Sequence, residues 1–138
     1  MFLKQDALPS ESLRPKNSEI SASDWEVLSK YWYPIAEISE VGERPLPVKL
    51  LDVDLVVFTG ANGPSVARDR CPHRHVRLSA GEVEDGEIVC PYHALKFNGS
   101  GRCTYAPAVG PNAKLPEMYR LQMFPVALRH GLIWTRLV

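Results

Sequence analysis

The chain has 138 residues, of which 45% are hydrophobic and 23% charged, and its sixteen basic side chains balance sixteen acidic ones. That length suits one domain with a modest core, and the balanced charge excludes a bulk attraction to nucleic acid or to a membrane surface. The first residues lack the apolar run of a signal peptide, and no stretch is long enough to span a membrane. We therefore expect a cytoplasmic protein with neither nucleic-acid nor membrane partners.

The start of the chain, residues 1–20, is interrupted by proline and serine and lacks a regular apolar pattern. This composition predicts an extended or disordered tail. The domain itself is expected to cover residues 21–138.

A short helix is predicted at the start of this domain. Ser23, followed three positions later by Glu26, has the pattern of a capping box, and the helix should run to about Tyr31. Three apolar residues at helical spacing should then face the core: Trp25, Leu28 and Trp32.

After the helix, short segments rich in valine, isoleucine, leucine and aromatic residues are divided by glycine, proline, asparagine and aspartate. Many short strands at this spacing predict an all-β domain, an antiparallel sandwich or barrel. Asp85-Gly86 has the composition of a two-residue hairpin turn, and Gly60 to Gly63 has that of a longer one.

The segment between Cys71 and His93 contains two of the three cysteines and three of the four histidines. Each half contributes one cysteine followed closely by a histidine, as C-P-H at Cys71 and C-P-Y-H at Cys90. Both pairs fall on predicted loops, where functional residues usually lie. Three cysteines in a reducing compartment argue against a disulfide framework and favour metal or redox chemistry.

Thiolate and imidazole ligands together suit zinc, iron or copper. A zinc finger usually places its cysteines in one half and its histidines in the other, whereas each half here supplies one of each. The mixed order favours a binuclear cluster in which one iron takes both cysteines and the other both histidines, as in a Rieske [2Fe–2S] centre. A structural zinc site stays open as the alternative.

Three motifs resemble the cluster loops of the Rieske domains of ring-hydroxylating and demethylating oxygenases. They are C-P-H-R at Cys71, L-S-A-G at Leu78 and C-P-Y-H at Cys90, and flanking segments from about Trp25 onward follow the family's order. The resemblance implies a Rieske-type sandwich or barrel with a two-loop subdomain that binds the cluster. The buried iron would be held by Cys71 and Cys90, and the outer iron by His73 and His93.

Two features depart from the oxygenase pattern. Ala94 follows the second histidine, where family members usually have glycine. The chain also stops at Val138, about where those enzymes continue into a domain with a mononuclear iron, and His75 and His130 form no recognisable second site. The resemblance therefore implies either the N-terminal domain of an oxygenase or a separate Rieske ferredoxin, with no catalytic residues in this chain.

The resemblance also indicates which kind of Rieske centre to expect. Members from respiratory complexes have a disulfide between the loops, and Val76 and Tyr92 occupy the comparable positions here. Leu95 and Phe97 stand where those members have hydroxyl groups that donate to sulfur. Because such hydrogen bonds raise the potential, we expect a value near the lower end of the Rieske range of roughly −150 to +300 mV.

The expected function is that of a one-electron carrier. The resemblance implies an NADH-dependent reductase as donor, the mononuclear iron of an aromatic-ring oxygenase as acceptor, and a homotrimer if the domain is part of such an enzyme. A metal-binding module without redox function is the alternative. Cys103 is expected to be a small packed side chain, and His75 either an exposed loop residue or part of a docking surface.

Overall fold

The structure, a computed structural model, describes residues 13–72, 75–107 and 119–138. One short helix precedes a series of short strands. In chain order these are α1 (Ala22–Leu28), β1 (Tyr33–Glu37), β2 (Leu46–Leu50), β3 (Val53–Gly60), β4 (Gly63–Arg68), β5 (Glu82–Glu84), β6 (Glu87–Val89), β7 (Lys96–Phe97), β8 (Cys103–Tyr105), β9 (Met123–Phe124), β10 (Val126–Arg129) and β11 (Leu132–Thr135). The strand pairs are antiparallel. The predicted all-β antiparallel class with one short N-terminal helix is therefore confirmed.

The strands form three sheets, ordered β1-β11-β10, β2-β3-β4-β9 and β5-β6-β7-β8. Strand β3 lies inside the second sheet, and its residues 55–58 are fully buried. A strand that is covered on both faces has a continuous apolar sequence rather than an alternating one. The run Leu-Val-Val-Phe has this pattern, and the sheet lies between two hydrophobic clusters.

The first hydrophobic cluster covers one face of β3, through Val56 and Phe58, and extends to the third sheet. It includes all three cysteines of the chain. The second cluster covers the opposite face, through Leu55 and Val57, and reaches α1 and β11. One side of the central sheet thus supports the cysteines, and the other joins it to the rest of the domain.

The helix differs from the prediction at both ends. Its N-cap is Ser21, whose hydroxyl accepts a hydrogen bond from the Asp24 backbone N–H at 3.2 Å, so the predicted capping box at Ser23 and Glu26 is wrong. Ser21 and Ser23 are two positions apart and both are good N-cap residues, and the helix uses the earlier one. The helix then ends at Leu28 rather than near Tyr31.

This early end changes which apolar side chains face the core. Trp25 is buried and its indole N–H donates to the Leu51 carbonyl at 2.9 Å. Leu28 and Trp32 are 37% and 39% exposed, contrary to the prediction that all three face inward. Trp32 lies beyond the last helical turn, so the helical spacing used to predict its orientation does not apply to it.

The Asp85-Gly86 turn is as predicted. Glu84 pairs with Glu87, and both turn residues have positive φ, at 50° and 80°. Positive φ at both central residues is the geometry of a type I′ hairpin, for which Asp-Gly is a preferred sequence. This hairpin connects the segment that contains Cys71 to the segment that contains Cys90.

The chain before residue 21 also contacts the domain where it is described. Leu13 and Ile20 pack against the second cluster, and the Arg14 guanidinium donates to the Ile20 carbonyl at 2.7 and 2.9 Å. Residues 1–12 of the predicted tail lie outside the described residues, so the division at residue 20 stays a prediction. Within the described parts of the chain, the helical structure includes no segment long and apolar enough to cross a membrane.

Candidate metal centre

Two loops of matching construction bring the cysteines together. The first follows β4 and the second follows β6, with Cys71 and Cys90 near the start of each. The Cys71 N–H donates to the Val76 carbonyl at 2.8 Å, and the Cys90 N–H donates to the Leu95 carbonyl, also at 2.8 Å. Each loop is therefore closed by the same bond, from a cysteine amide to a carbonyl five residues later.

The two cysteine side chains meet in the interior. Cys71 is fully buried and Cys90 is 1% exposed. A hydrogen bond with the Cys71 thiol, followed by burial, raises the pKa of Cys90, although the Tyr92 backbone N–H donates to the same sulfur and acts in the opposite direction. Two adjacent buried thiolates need a compensating positive charge, and a bound metal supplies one. This pair is the part of the predicted site that the structure places together.

The histidines of the predicted site have a different location. His93 lies three residues after Cys90 on the second loop and is exposed, with its ring centroid 4.1 Å from that of Tyr92. His73, the other predicted histidine ligand, lies outside the described residues. The described members thus divide by depth, with both sulfurs inside and an imidazole at the surface. This division fits a cofactor with an inner cysteine-bound metal and an outer histidine-bound one.

The second loop contains two consecutive residues in the left-handed region. His93 has φ of 69° and Ala94 has φ of 54°. This conformation costs little for glycine and more for alanine, because of the contact between Cβ and the backbone. The backbone conformation at position 94 thus explains why family members usually have glycine there. Ala94 adopts the same conformation at a cost in conformational free energy.

A buried carboxylate that the sequence analysis did not identify holds the first loop. The Asp69 side chain is fully buried and accepts hydrogen bonds from the Ser79 N–H at 2.8 Å and the Ser79 hydroxyl at 2.6 Å. It also pairs with the Arg77 guanidinium at 3.1 Å. Asp69 precedes Cys71 by two residues, whereas Arg77 and Ser79 follow the loop. The carboxylate therefore fixes both ends of the loop relative to each other.

Gly81 joins the two loops by close approach. Its φ of −94° is accessible to any residue, so a left-handed turn conformation is not the reason for glycine here. A Cβ at this position would instead overlap the Val89 carbonyl and crowd the Pro91 ring. Glycine is required because the segment after the first loop packs directly against the start of the second.

Cys103 lies in the same hydrophobic cluster as the other two cysteines. It is buried, as predicted, and its thiol is 3.6 Å from the Tyr105 carbonyl. Burial raises the pKa of this thiol. These contacts give it a packing role. At the surface, His75 accepts a hydrogen bond at Nδ1 from Arg70 Nε at 2.9 Å.

Comparison with protein families agrees with this architecture. Residues 31–125 match the model of the Rieske [2Fe-2S] domain. The chain therefore belongs to the Rieske [2Fe-2S] domain family, whose cofactor is a Rieske cluster.

Individual relatives include enzymes and a chloroplast protein. The chain is 36% identical over 118 residues to the methylxanthine N1-demethylase NdmA of Pseudomonas putida, covering 81% of this chain and 33% of that protein. It is 33% identical over 128 residues to the chloroplastic protein TIC 55 of Pisum sativum, covering 91% and 23%. A solved structure of NdmA superimposes with a TM-score of 0.77, covering 82% of this chain and 36% of the other. The chain thus spans about a third or less of the length of these relatives.

Proposed function

We propose that this chain is a one-electron carrier whose Rieske [2Fe–2S] cluster is held by Cys71, Cys90, His73 and His93. One observation carries the proposal. The two buried cysteines meet, each at the start of a loop closed by the same hydrogen bond, and His93 is exposed on the same loop as Cys90. When bound, such a cluster supplies a site that accepts and releases one electron at a time.

The residues of the chain fit that cofactor. Burial excludes water from the sulfur ligands, and backbone N–H donors such as that of Tyr92 stabilise negative charge on them. Leu95 and Phe97 are buried in the same hydrophobic cluster and have no hydroxyl to add a further donor. For this reason we place the reduction potential near the lower end of the Rieske range, which suits electrons that originate from NADH.

The proposed partners are an NADH-dependent reductase as donor and the mononuclear iron of an aromatic-ring oxygenase as acceptor. The exposed imidazole of His93 offers a short path from the metal site to either partner. We infer that the chain works in the cytoplasm, either as the N-terminal domain of such an oxygenase, with a trimeric assembly, or as a separate ferredoxin. The relatives that are named as demethylases support the oxygenase system.

Spectroscopy with matched cysteine variants tests the cofactor and its ligands. The purified protein should contain two irons and two labile sulfides per chain. After reduction it should show the EPR signal of a Rieske cluster, and voltammetry should give a reduction potential near the lower end of the Rieske range. Cys90→Ser should lose the iron and the visible absorption, because one thiolate of the inner site is replaced. Cys103→Ala, a change in the same hydrophobic cluster, should keep both.

Two results would contradict the proposal. One is a colourless protein with a single tetrahedral zinc, which would support the structural metal module instead. The other is an unchanged EPR signal in Cys90→Ser, which would show that this residue does not bind the cluster.

A further inference from the structure

Two arginines face each other across an isolated antiparallel bridge. Arg102, just before β8, is paired with Arg120, just before β9, and both are exposed. Directly opposite residues of an antiparallel pair project to the same face, and like charges in these positions destabilise the pair. Neither guanidinium has a hydrogen bond or ion pair to another residue in the described parts of the chain. Two positive charges are therefore held side by side, and no residue in the described ranges pairs with either of them.

The positive surface continues toward the first cysteine loop. Gln122 is the next outward residue after Arg120, and its side-chain oxygen is 3.5 Å from Arg68 Nη1. Arg70, two residues after Arg68, donates to His75 on the loop that follows Cys71. We call the four arginines the basic strip: Arg68, Arg70, Arg102 and Arg120.

Among the residues that the structure describes, two aspartates near the first loop are paired with basic side chains. Asp69 is buried beneath the first loop and bound to Arg77, while Asp54 lies near Lys49 and Arg77. A separate acidic group lies on the β5–β6 hairpin, on both strands and at its turn. It consists of Glu82, Glu84, Asp85 and Glu87. Among the described residues, the arginines of the basic strip and these carboxylates thus lie on different elements.

We propose that the basic strip is a docking surface for the acidic protein that delivers electrons to this domain. The inference rests on the proposed function, because a donor protein has to approach the loops at the surface. Complementary charge beside those loops raises the association rate and orients the partner. The strip lies at the correct place for this, since it leads from the Arg102–Arg120 bridge to His75.

Equilibrium binding tests the surface independently of electron transfer. The probe is an acidic plant-type [2Fe–2S] ferredoxin, titrated calorimetrically against the cluster-containing domain with both proteins oxidised. Affinity of the wild type should be highest at about 10 mM salt, where the Debye length is about 30 Å, and should fall as salt increases. Ferredoxin with amidated carboxylates should bind far more weakly.

Charge reversal identifies the residues. The double variant R102E/R120E keeps a like-charge pair at the bridge, so its folding cost should match the wild type, and it should raise Kd at least about tenfold at low salt. R44E/R129E changes the net charge equally at two other exposed positions and should change Kd less than about twofold. If R102E/R120E is not folded, R102Q/R120Q gives the same comparison with a smaller expected loss.

Equal losses in the two reversed variants, or no binding by the wild type at low salt, would overturn the docking proposal. The cluster spectrum separates this from the proposed function. If the cluster spectrum is normal and the two reversed variants bind equally, the docking surface alone is rejected. If the cluster is absent, the carrier function itself is rejected.

Discussion

Ala94 is a residue at which sequence and backbone are in conflict. Its φ of 54° lies in the left-handed region, directly after His93 in the same region. An L-residue in this conformation costs about 1–2 kcal/mol, and glycine avoids most of that cost. The second loop therefore has backbone strain next to a proposed cluster ligand.

Replacing Ala94 with glycine should stabilise the folded protein. We expect Ala94→Gly to increase the free energy of unfolding by about 0.5–1 kcal/mol, after the larger chain entropy of glycine is deducted. Urea unfolding followed by circular dichroism measures this change. The control Ala61→Gly, at an exposed turn position without positive φ, should lose about 0.5–1 kcal/mol. Destabilisation in both variants would show that the strain at Ala94 is negligible.

At this scale the sequence reveals residue types more readily than their surroundings. The mixed Cys/His order predicted the pairing of Cys71 with Cys90, and the structure places these two together. Asp69 was missed because a single aspartate between two arginines has the composition of an ordinary polar loop. Its burial depends on Ser79, which is ten residues away, and no local pattern records that contact.

The first cysteine loop, as an element, depends on the bonds that fix its two ends. Asp69 accepts hydrogen bonds from Ser79 and pairs with Arg77 across the loop. The Arg77 side chain is half exposed, so its ion pair contributes modestly. The bonds from Ser79 are partly buried and charge-assisted, so they contribute more.

Asp69→Asn should weaken the loop while keeping the shape of the side chain. We expect a loss of about 2 kcal/mol in the free energy of unfolding. The amide of asparagine has only one acceptor oxygen, so it leaves without an acceptor some of the donors that the carboxylate satisfied. Asp52→Asn is the matched control. It alters an exposed carboxylate that, within the described ranges, is bonded to the Ser18 hydroxyl, and it should lose less than about 1 kcal/mol. Denaturant titration of both variants gives the comparison. Similar losses would mean that burial of Asp69 adds nothing to the stability of the loop.

Element types were easier to predict than element ends. The Asp85-Gly86 hairpin was correct because its turn requires positive φ twice, which few other sequences tolerate. The start of α1 was wrong because Ser21 and Ser23 are equivalent as caps from sequence alone. The Trp25 side chain is held by a hydrogen bond to the Leu51 carbonyl, 26 residues away, and the local sequence of the helix does not show this contact.

On the scale of the whole molecule, one sheet separates two cores of different character. The first cluster surrounds the cysteines, and the second joins α1, β3 and β11 through apolar side chains. A metal that binds only to the folded state adds its binding free energy to the stability of that state. Its loss should therefore affect the two cores unequally.

Removal of iron by a chelator under reducing conditions should loosen the cysteine side first. The Cys71 and Cys90 amides, which close the loops, should lose hydrogen-exchange protection, while amides of β11 and of β3 should keep theirs. Hydrogen exchange with mass spectrometry resolves these segments. Uniform loss of protection would indicate a single cooperative unit.

The hairpin between the two loops also bears on the order of assembly. Cys71 and Cys90 are separated by about twenty residues, so bringing them together costs little loop entropy, whereas β1 and β11 pair across about a hundred residues. Contacts between nearby segments form sooner than distant ones. A nascent chain can thus present its metal ligands before the first and last strands have met, and cofactor insertion need not wait for the finished domain.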